Sequence, residues 1–98
     1  MIDGEYIEYY ESGEIRYKYN YLNGGLNGGL NGESIYYYTS GDISSKSYYK
    51  DGELHGESFF YNQSGDISHK YYYINDKFVT ELEWISYNRS IKLELLGL

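Results

Sequence analysis

Two histidines, His55 and His69, and carboxylates that recur at regular places are the residues equipped for acid–base or metal chemistry. A metal site needs several converging ligands, and a catalytic base needs a partner that orients it. Neither histidine has a recurring companion: Tyr17 and Ser45 stand where His69 stands in the matching stretches, and His55 lies in a turn beside Gly56. Glu5, Glu33, Glu57 and Glu81 open successive strands, and Glu14, Asp42 and Asp66 follow turn glycines. Two acids across one cleft would suit glycoside hydrolysis. Acids repeated once per hairpin form a row along a sheet, where solvated charge discourages edge pairing. The stretch LNGGLNGGLNGE (residues 22–33) has neither the GK[ST] ending nor the GxGxxG spacing of a phosphate loop. We therefore assign no catalytic, cofactor or metal residue, and expect no enzyme.

The tyrosines are the feature most in need of a use: there are 16, with three phenylalanines and one tryptophan. Neighbouring residues in a strand point to opposite faces, so runs such as Tyr36-Tyr37-Tyr38 and Tyr71-Tyr72-Tyr73 put rings on both. The rings of one face shield the sheet. Those of the other either shield it too or meet a partner, a role tyrosine fills with large area and little entropy to lose.

The elements holding these residues follow from an internal repeat. Gly32 and Gly41 recur as Gly56 and Gly65, 24 residues on, and are preceded by Gly4 and Gly13, 28 residues earlier. The excess of four is one LNGG tetrad, so residues 22–32 read as one copy's closing turn enlarged by a duplication. The repeats span about 4–28, 32–55 and 56–79, with a degraded capping copy at 80–98, all in one domain, 1–98. Asp76, late in the third copy, and Arg89, in the last, replace turn glycines.

Each copy holds an apolar run, then SG[DE]I, then a second run. Glu11-Ser12-Gly13, Thr39-Ser40-Gly41 and Gln63-Ser64-Gly65 fit three-residue hairpin loops closed by a left-handed glycine. This register faces Tyr9 with Ile15, Tyr37 with Ile43, Tyr61 with Ile67 and, in the last copy, Ile85 with Ile91. The reverse face pairs Glu8 with Arg16, Tyr36 with Ser44, Phe60 with Ser68 and Trp84 with Lys92, and sets His69 across from Phe59. Asp51-Gly52 forms the second turn. The expected fold is all-β: an elongated antiparallel meander of successive hairpins in a single open sheet. Its core side carries Tyr9, Tyr37, Tyr61 and the isoleucines. Its partner stripe runs along the even positions Tyr36, Tyr38, Tyr48, Phe60, Tyr72 and Trp84.

These residues resemble the MORN repeats, in the variant found in bacterial YwqK-type antitoxin-like proteins. The resemblance rests on Gly4-Glu5…Tyr9…Ser12-Gly13-Glu14-Ile15…Tyr21, on Gly32-Glu33…Tyr37…Ser40-Gly41-Asp42-Ile43…Lys46…Tyr49…Gly52…Leu54, and on Gly56-Glu57…Tyr61…Ser64-Gly65-Asp66-Ile67…Lys70…Tyr73. It implies a sheet of successive hairpins and a binding or scaffolding role. Some members are linked to membranes, others to protein partners, and the YwqK-like ones to neutralising a toxin.

The net charge of −7 repels phosphate backbones and anionic headgroups, so neither nucleic acid nor membrane is the expected partner. No apolar run approaches the roughly 18 residues of a membrane span. The N-terminal MIDGEYIEYY lacks the basic and apolar regions of a signal peptide, so a cytoplasmic place is expected. The expectation is a non-catalytic module binding a protein partner, such as a basic toxin. The alternative is a structural or self-associating segment of a longer array, associating through sheet edges. It is suggested by a start in phase with a repeat at Ile2-Asp3-Gly4. Deleting residues 26–29 should leave the β circular-dichroism signal intact and change stability by less than about 1 kcal/mol, because loop-closure entropy varies slowly with length.

Overall fold

The computed structural model describes residues 3–22 and 29–97. Tyrosine, isoleucine and phenylalanine at short intervals favour strands over helix, and the described residues form nine: β1 (Gly4–Tyr9), β2 (Ile15–Leu22), β3 (Gly29–Leu30), β4 (Gly32–Tyr37), β5 (Ile43–Lys50), β6 (Glu53–Leu54), β7 (Gly56–Tyr61), β8 (Ile67–Ile74) and β9 (Lys77–Val79). One helix, α1 (Glu81–Leu95), follows. The strands join antiparallel in a single open sheet in the order β1-β2-β4-β5-β7-β8-β9, with β3 on β2 and β6 on β5. The molecule measures 53 × 34 × 20 Å. Residues 23–28 of the enlarged turn lie outside the described residues; the chain beyond them returns as β3, with Leu30 facing Tyr21.

The three hairpin loops have the expected form. In the first, the Tyr10 carbonyl accepts from the Gly13 N–H at 3.0 Å and the Tyr10 N–H donates to the Glu14 carbonyl at 2.8 Å. The same bonds recur about Tyr38 and Asn62. Gly13, Gly41 and Gly65 have φ of 95°, 95° and 93°, the left-handed region that a side chain resists. Tyr9 faces Ile15, Tyr37 faces Ile43 and Tyr61 faces Ile67. At the other end of the strands, Asp51-Gly52 and Asn75-Asp76 turn with both residues at positive φ, as a two-residue hairpin requires.

Beyond the first pair, the register departs from expectation. Glu8 faces Tyr17 rather than Arg16, Tyr36 faces Ser45 rather than Ser44, and Phe60 faces His69 rather than Ser68. His69 is therefore not opposite Phe59, whose partner is Lys70. Arg16, Ser44 and Ser68 are each an extra residue, a bulge that places two residues opposite one. Arg16 still reaches Glu8 at 3.3 Å across the bulge.

The expectation of a fourth hairpin in residues 80–98 is overturned. This segment is α1, so Ile85 does not face Ile91, nor Trp84 Lys92. The cause lies at the copy's first residue. Gly4, Gly32 and Gly56 open their strands with φ of 138°, 77° and 123°. The equivalent residue is Thr80, whose β-carbon makes such angles costly; it takes φ −77° and caps a helix. Its hydroxyl accepts from the Glu83 N–H at 3.2 Å, and its own N–H donates to the Glu83 carboxylate at 3.0 Å. This capping box satisfies two N–H groups that a helix start leaves open.

That carboxylate titrates below the ordinary glutamate range, chiefly through the bond from the Thr80 backbone. Its contribution to the cap is therefore present above that range and lost as pH falls through the lowered pKa. Thr80→Ala should weaken the helix by about 1 kcal/mol. Far-ultraviolet circular dichroism should show helix lost at a lower temperature than strand, and wild-type protein should shift the same way on acidification.

Candidate functional site

Paired residues of neighbouring strands share a face, so the register assigns every strand side chain to one of two faces. One carries Tyr6, Glu8, Tyr17, Tyr19, Tyr36, Ser45, Phe60, His69, Tyr71, Tyr73 and Phe78. The other carries Ile7, Lys18, Ile35, Lys46, Tyr48, Phe59, Lys70, Tyr72, Lys77 and Val79. We name them the aromatic face and the lysine face.

The bulge divides the expected partner stripe. Tyr36 and Phe60, from first strands, lie on the aromatic face, and Tyr38 adjoins them at the hairpin neck. Tyr48 and Tyr72 lie beyond the bulge in second strands; the extra residue inverts their parity, so they lie on the lysine face. Trp84 belongs to α1, and its ring is 6.2 Å from that of Tyr72. Tyr36 and Phe60 are 48% and 42% exposed, whereas Tyr72 is only 8% exposed. The expected core side also needs correction, since Tyr9 is 59% and Ile67 54% exposed. Burial is divided instead: Ile35, Tyr72 and Val79 on the lysine face, Tyr17, Ser34 and Ser58 on the aromatic face.

On the lysine face, Lys46 pairs with Glu33 at 3.8 Å and Lys70 with Glu57 at 3.6 Å, the same two positions 24 residues apart. The Lys70 ammonium lies over the rings of Phe59 and Tyr72, 5.3 and 5.4 Å from their centroids. At the far end, His55 meets Trp84 and Tyr87 edge-on at 5.9 and 5.5 Å, and its Nδ1 accepts from the Asn75 N–H at 3.3 Å. That acceptor role and the aromatic packing give His55 a structural use: it seats the helix.

On the aromatic face the rings stand in file. Tyr17 stacks on Tyr36 with centroids 4.0 Å apart and planes 15° from parallel, and Tyr19, two residues on in the same strand, lies 4.8 Å from Tyr17. Burial pushes the Tyr17 hydroxyl up to about 12. Tyr17 and Tyr36, on adjacent strands, thus turn ring faces to each other. The file breaks at Ser45, which separates Tyr36 from Phe60. The break is part of a cleft of about 390 Å³ between Tyr36, Ser45, Phe60 and His69, closed toward the hairpin loops by Tyr10 and Tyr38.

These last two tyrosines fasten one hairpin to the next. The Tyr10 hydroxyl donates to the Tyr37 carbonyl and the Tyr38 hydroxyl to the Tyr61 carbonyl. Asn62 holds the equivalent position in the third hairpin and turns inward, its Oδ1 accepting from the N–H groups of Ser64 and Asp66, both at 3.1 Å. Sequence reading passed over this pattern, though the tyrosine–tyrosine–asparagine series was there to find. Tyr38→Phe removes one fastening and should lower the unfolding free energy by about 1 kcal/mol in urea titration. Asn62→Phe should act through its own loop alone, leaving the amide exchange of β4 in the preceding hairpin unchanged.

Comparison with known proteins adds a family. The pattern of the MORN repeat variant matches residues 2–23, 30–51 and 54–75. No curated protein and no solved structure gives a significant match.

Proposed function

Because the chain belongs to the MORN repeat variant family, we propose that it is a non-catalytic module that binds a partner protein, in the manner of an antitoxin or immunity protein neutralising a basic one. The observation that carries this reading is the pair Tyr36 and Phe60, two large rings left nearly half exposed either side of a cleft on the face opposite the one α1 meets through Trp84 and Tyr72. Exposed rings gathered at a cleft supply the anchors from which interfaces draw most of their energy. His55 and His69 do not bear on catalysis in this reading: one seats the helix, and the other stacks beside Tyr71 on the aromatic face. We place the protein in the cytoplasm, away from nucleic acid and anionic lipid, in keeping with its charge of −7. No helix among the described residues is long and apolar enough to cross a membrane.

A self-associating segment is the second reading, favoured by β1, whose one sheet neighbour among the described residues is β2. Affinity capture with the full chain and with Tyr36→Ser/Phe60→Ser separates the two. A binding module captures a stoichiometric heterologous partner, and the double variant keeps its melting behaviour while losing about 2 kcal/mol or more of affinity per ring. Capture of the chain by itself alone supports self-association, and a partner held equally by both forms rejects this cleft.

A further inference from the structure

The positive charges of the chain are segregated by face. All five strand lysines, Lys18, Lys46, Lys50, Lys70 and Lys77, lie on the lysine face, since their paired residues are Ile7, Ile35, Glu53, Phe59 and Ile74. Lys92 and Arg89 belong to the helix, which packs on that same side through Trp84 and Tyr72. Among the described residues the one side-chain cation beside the aromatic face, Arg16, is occupied by Glu8 at 3.3 Å. The hairpin loops that border the cleft carry Glu14, Asp42 and Asp66. The Glu14 carboxylate reaches across to the second loop, where a β-carbon on Gly41 would lie 3.7 Å from it. Ser40 and Ser64 hydroxyls hold the carboxylates of Asp42 and Asp66 at 3.2 and 3.1 Å. The ion pairs among the described residues use Glu8, Glu33 and Glu57, so these three acids remain at the rim.

The width of the break is informative. Neighbouring strands stand about 4.8 Å apart, so the backbones at Tyr36 and Phe60, two strands from each other across Ser45, are about 9.6 Å apart. A flat group stacked between two rings needs about 3.5 Å on each side, about 7 Å in all. That spacing leaves room for one planar group between the two side chains. The free face of Tyr36 forms one wall, its other face being covered by Tyr17. Ring faces are electron-rich, and the guanidinium of arginine is a flat cation that stacks on them, whereas the ammonium of lysine is a compact, strongly hydrated one. A saccharide ring would prefer ring faces laid flat toward solvent, whereas Tyr36 turns one face to Tyr17.

We propose that the slot over Ser45, between Tyr36 and Phe60, receives the guanidinium of an extended arginine-rich segment of a partner protein, with Glu14, Asp42 and Asp66 attracting the rest of that segment. This rests on the binding reading above and specifies the partner's chemistry.

The test uses the full chain and three peptide probes of equal length: an arginine–serine repeat, a lysine–serine repeat and a glutamate–serine repeat. Calorimetry and amide chemical shifts read the binding, and a neutral cello-oligosaccharide serves as competitor. The arginine peptide should bind, shift the amides of Tyr36, Ser45 and Phe60, and exceed the lysine peptide about ten-fold, the loss expected when a stacked cation is exchanged for an unstacked one. Phe60→Ser should bring the arginine peptide down to the lysine level. Ser45→Leu, which keeps both rings and fills the slot, should do the same and covers the case in which the ring deletion unfolds. Equal binding of the two basic peptides, indifference to both substitutions, no binding, or displacement by the oligosaccharide would each overturn the proposal. A captured partner whose affinity ignores Ser45→Leu rejects the arginine slot and leaves the binding module standing, so the two failures are distinguishable.

Discussion

Opposite Tyr36 the chain runs from Ile43 to Ser45 with Ser44 left over, and the organisation of both faces follows from that extra residue. Side chains alternate strictly along a strand, so one inserted residue sends every later side chain to the other face. Without the bulge, the lysines of β2, β5 and β8 would stand on the same side as Tyr36 and Phe60. With it, they stand beside Ile7, Ile35 and Phe59, between aliphatic and aromatic neighbours, within reach of the strand-opening glutamates. A long ammonium side chain can lie along such apolar ground and keep its charged end in water. The neutral aromatic face is the other half of the same arrangement.

A sheet only one layer thick gains little from burial, because each face has at most the helix to press against. What holds successive hairpins side by side must therefore recur at each junction. At the loop end it is a tyrosine hydroxyl on a carbonyl of the next hairpin, Tyr10 on Tyr37 and Tyr38 on Tyr61. At the turn end it is a backbone bond to the preceding turn: the Gly52 N–H donates to the Leu30 carbonyl at 2.9 Å and the Asp76 N–H to the Leu54 carbonyl at 2.8 Å. Asp76 adds its side chain, accepting from the Leu54 N–H at 2.7 Å, which a glycine there would forgo. Ring stacking between strands supplies the rest, at about 0.5–1.5 kcal/mol beyond area burial for a pair such as Tyr17 and Tyr36.

The period, the three loops and the pairs Tyr9–Ile15, Tyr37–Ile43 and Tyr61–Ile67 were readable in the sequence, because a left-handed glycine at a fixed offset announces a turn and its register. The bulge was not, because Arg16, Ser44 and Ser68 share no residue type and a bulge of this kind asks for none. Its invisibility divided the expected stripe: Tyr36 and Phe60 precede it and were placed together correctly, whereas Tyr48 and Tyr72 follow it and lie on the other face. The helix had a local signal, Thr80-Glu81-Leu82-Glu83, a capping box ahead of an apolar pattern. The repeat's phase, which set Ile85 and Ile91 where a hairpin would want them, outweighed it.

That competition explains how the array stops. A further hairpin needs positive φ at its first residue and again at its loop, and the chain offers Thr80 and Arg89 at those places. Either substitution strains a hairpin; both together leave the helix as the conformation that satisfies local preference. Asn62 belongs to the same logic from one repeat earlier. Its position in the first two copies is a tyrosine reaching forward to the next hairpin; among the described residues a helix follows the third hairpin, and there the residue bonds its own loop instead. The helix then turns Trp84 and Tyr87 onto His55 and Trp84 toward Tyr72, covering the lysine face where the sheet ends. Covering that side leaves the aromatic face as the open one. The residues that end the repeat thus also decide which face remains available to a partner.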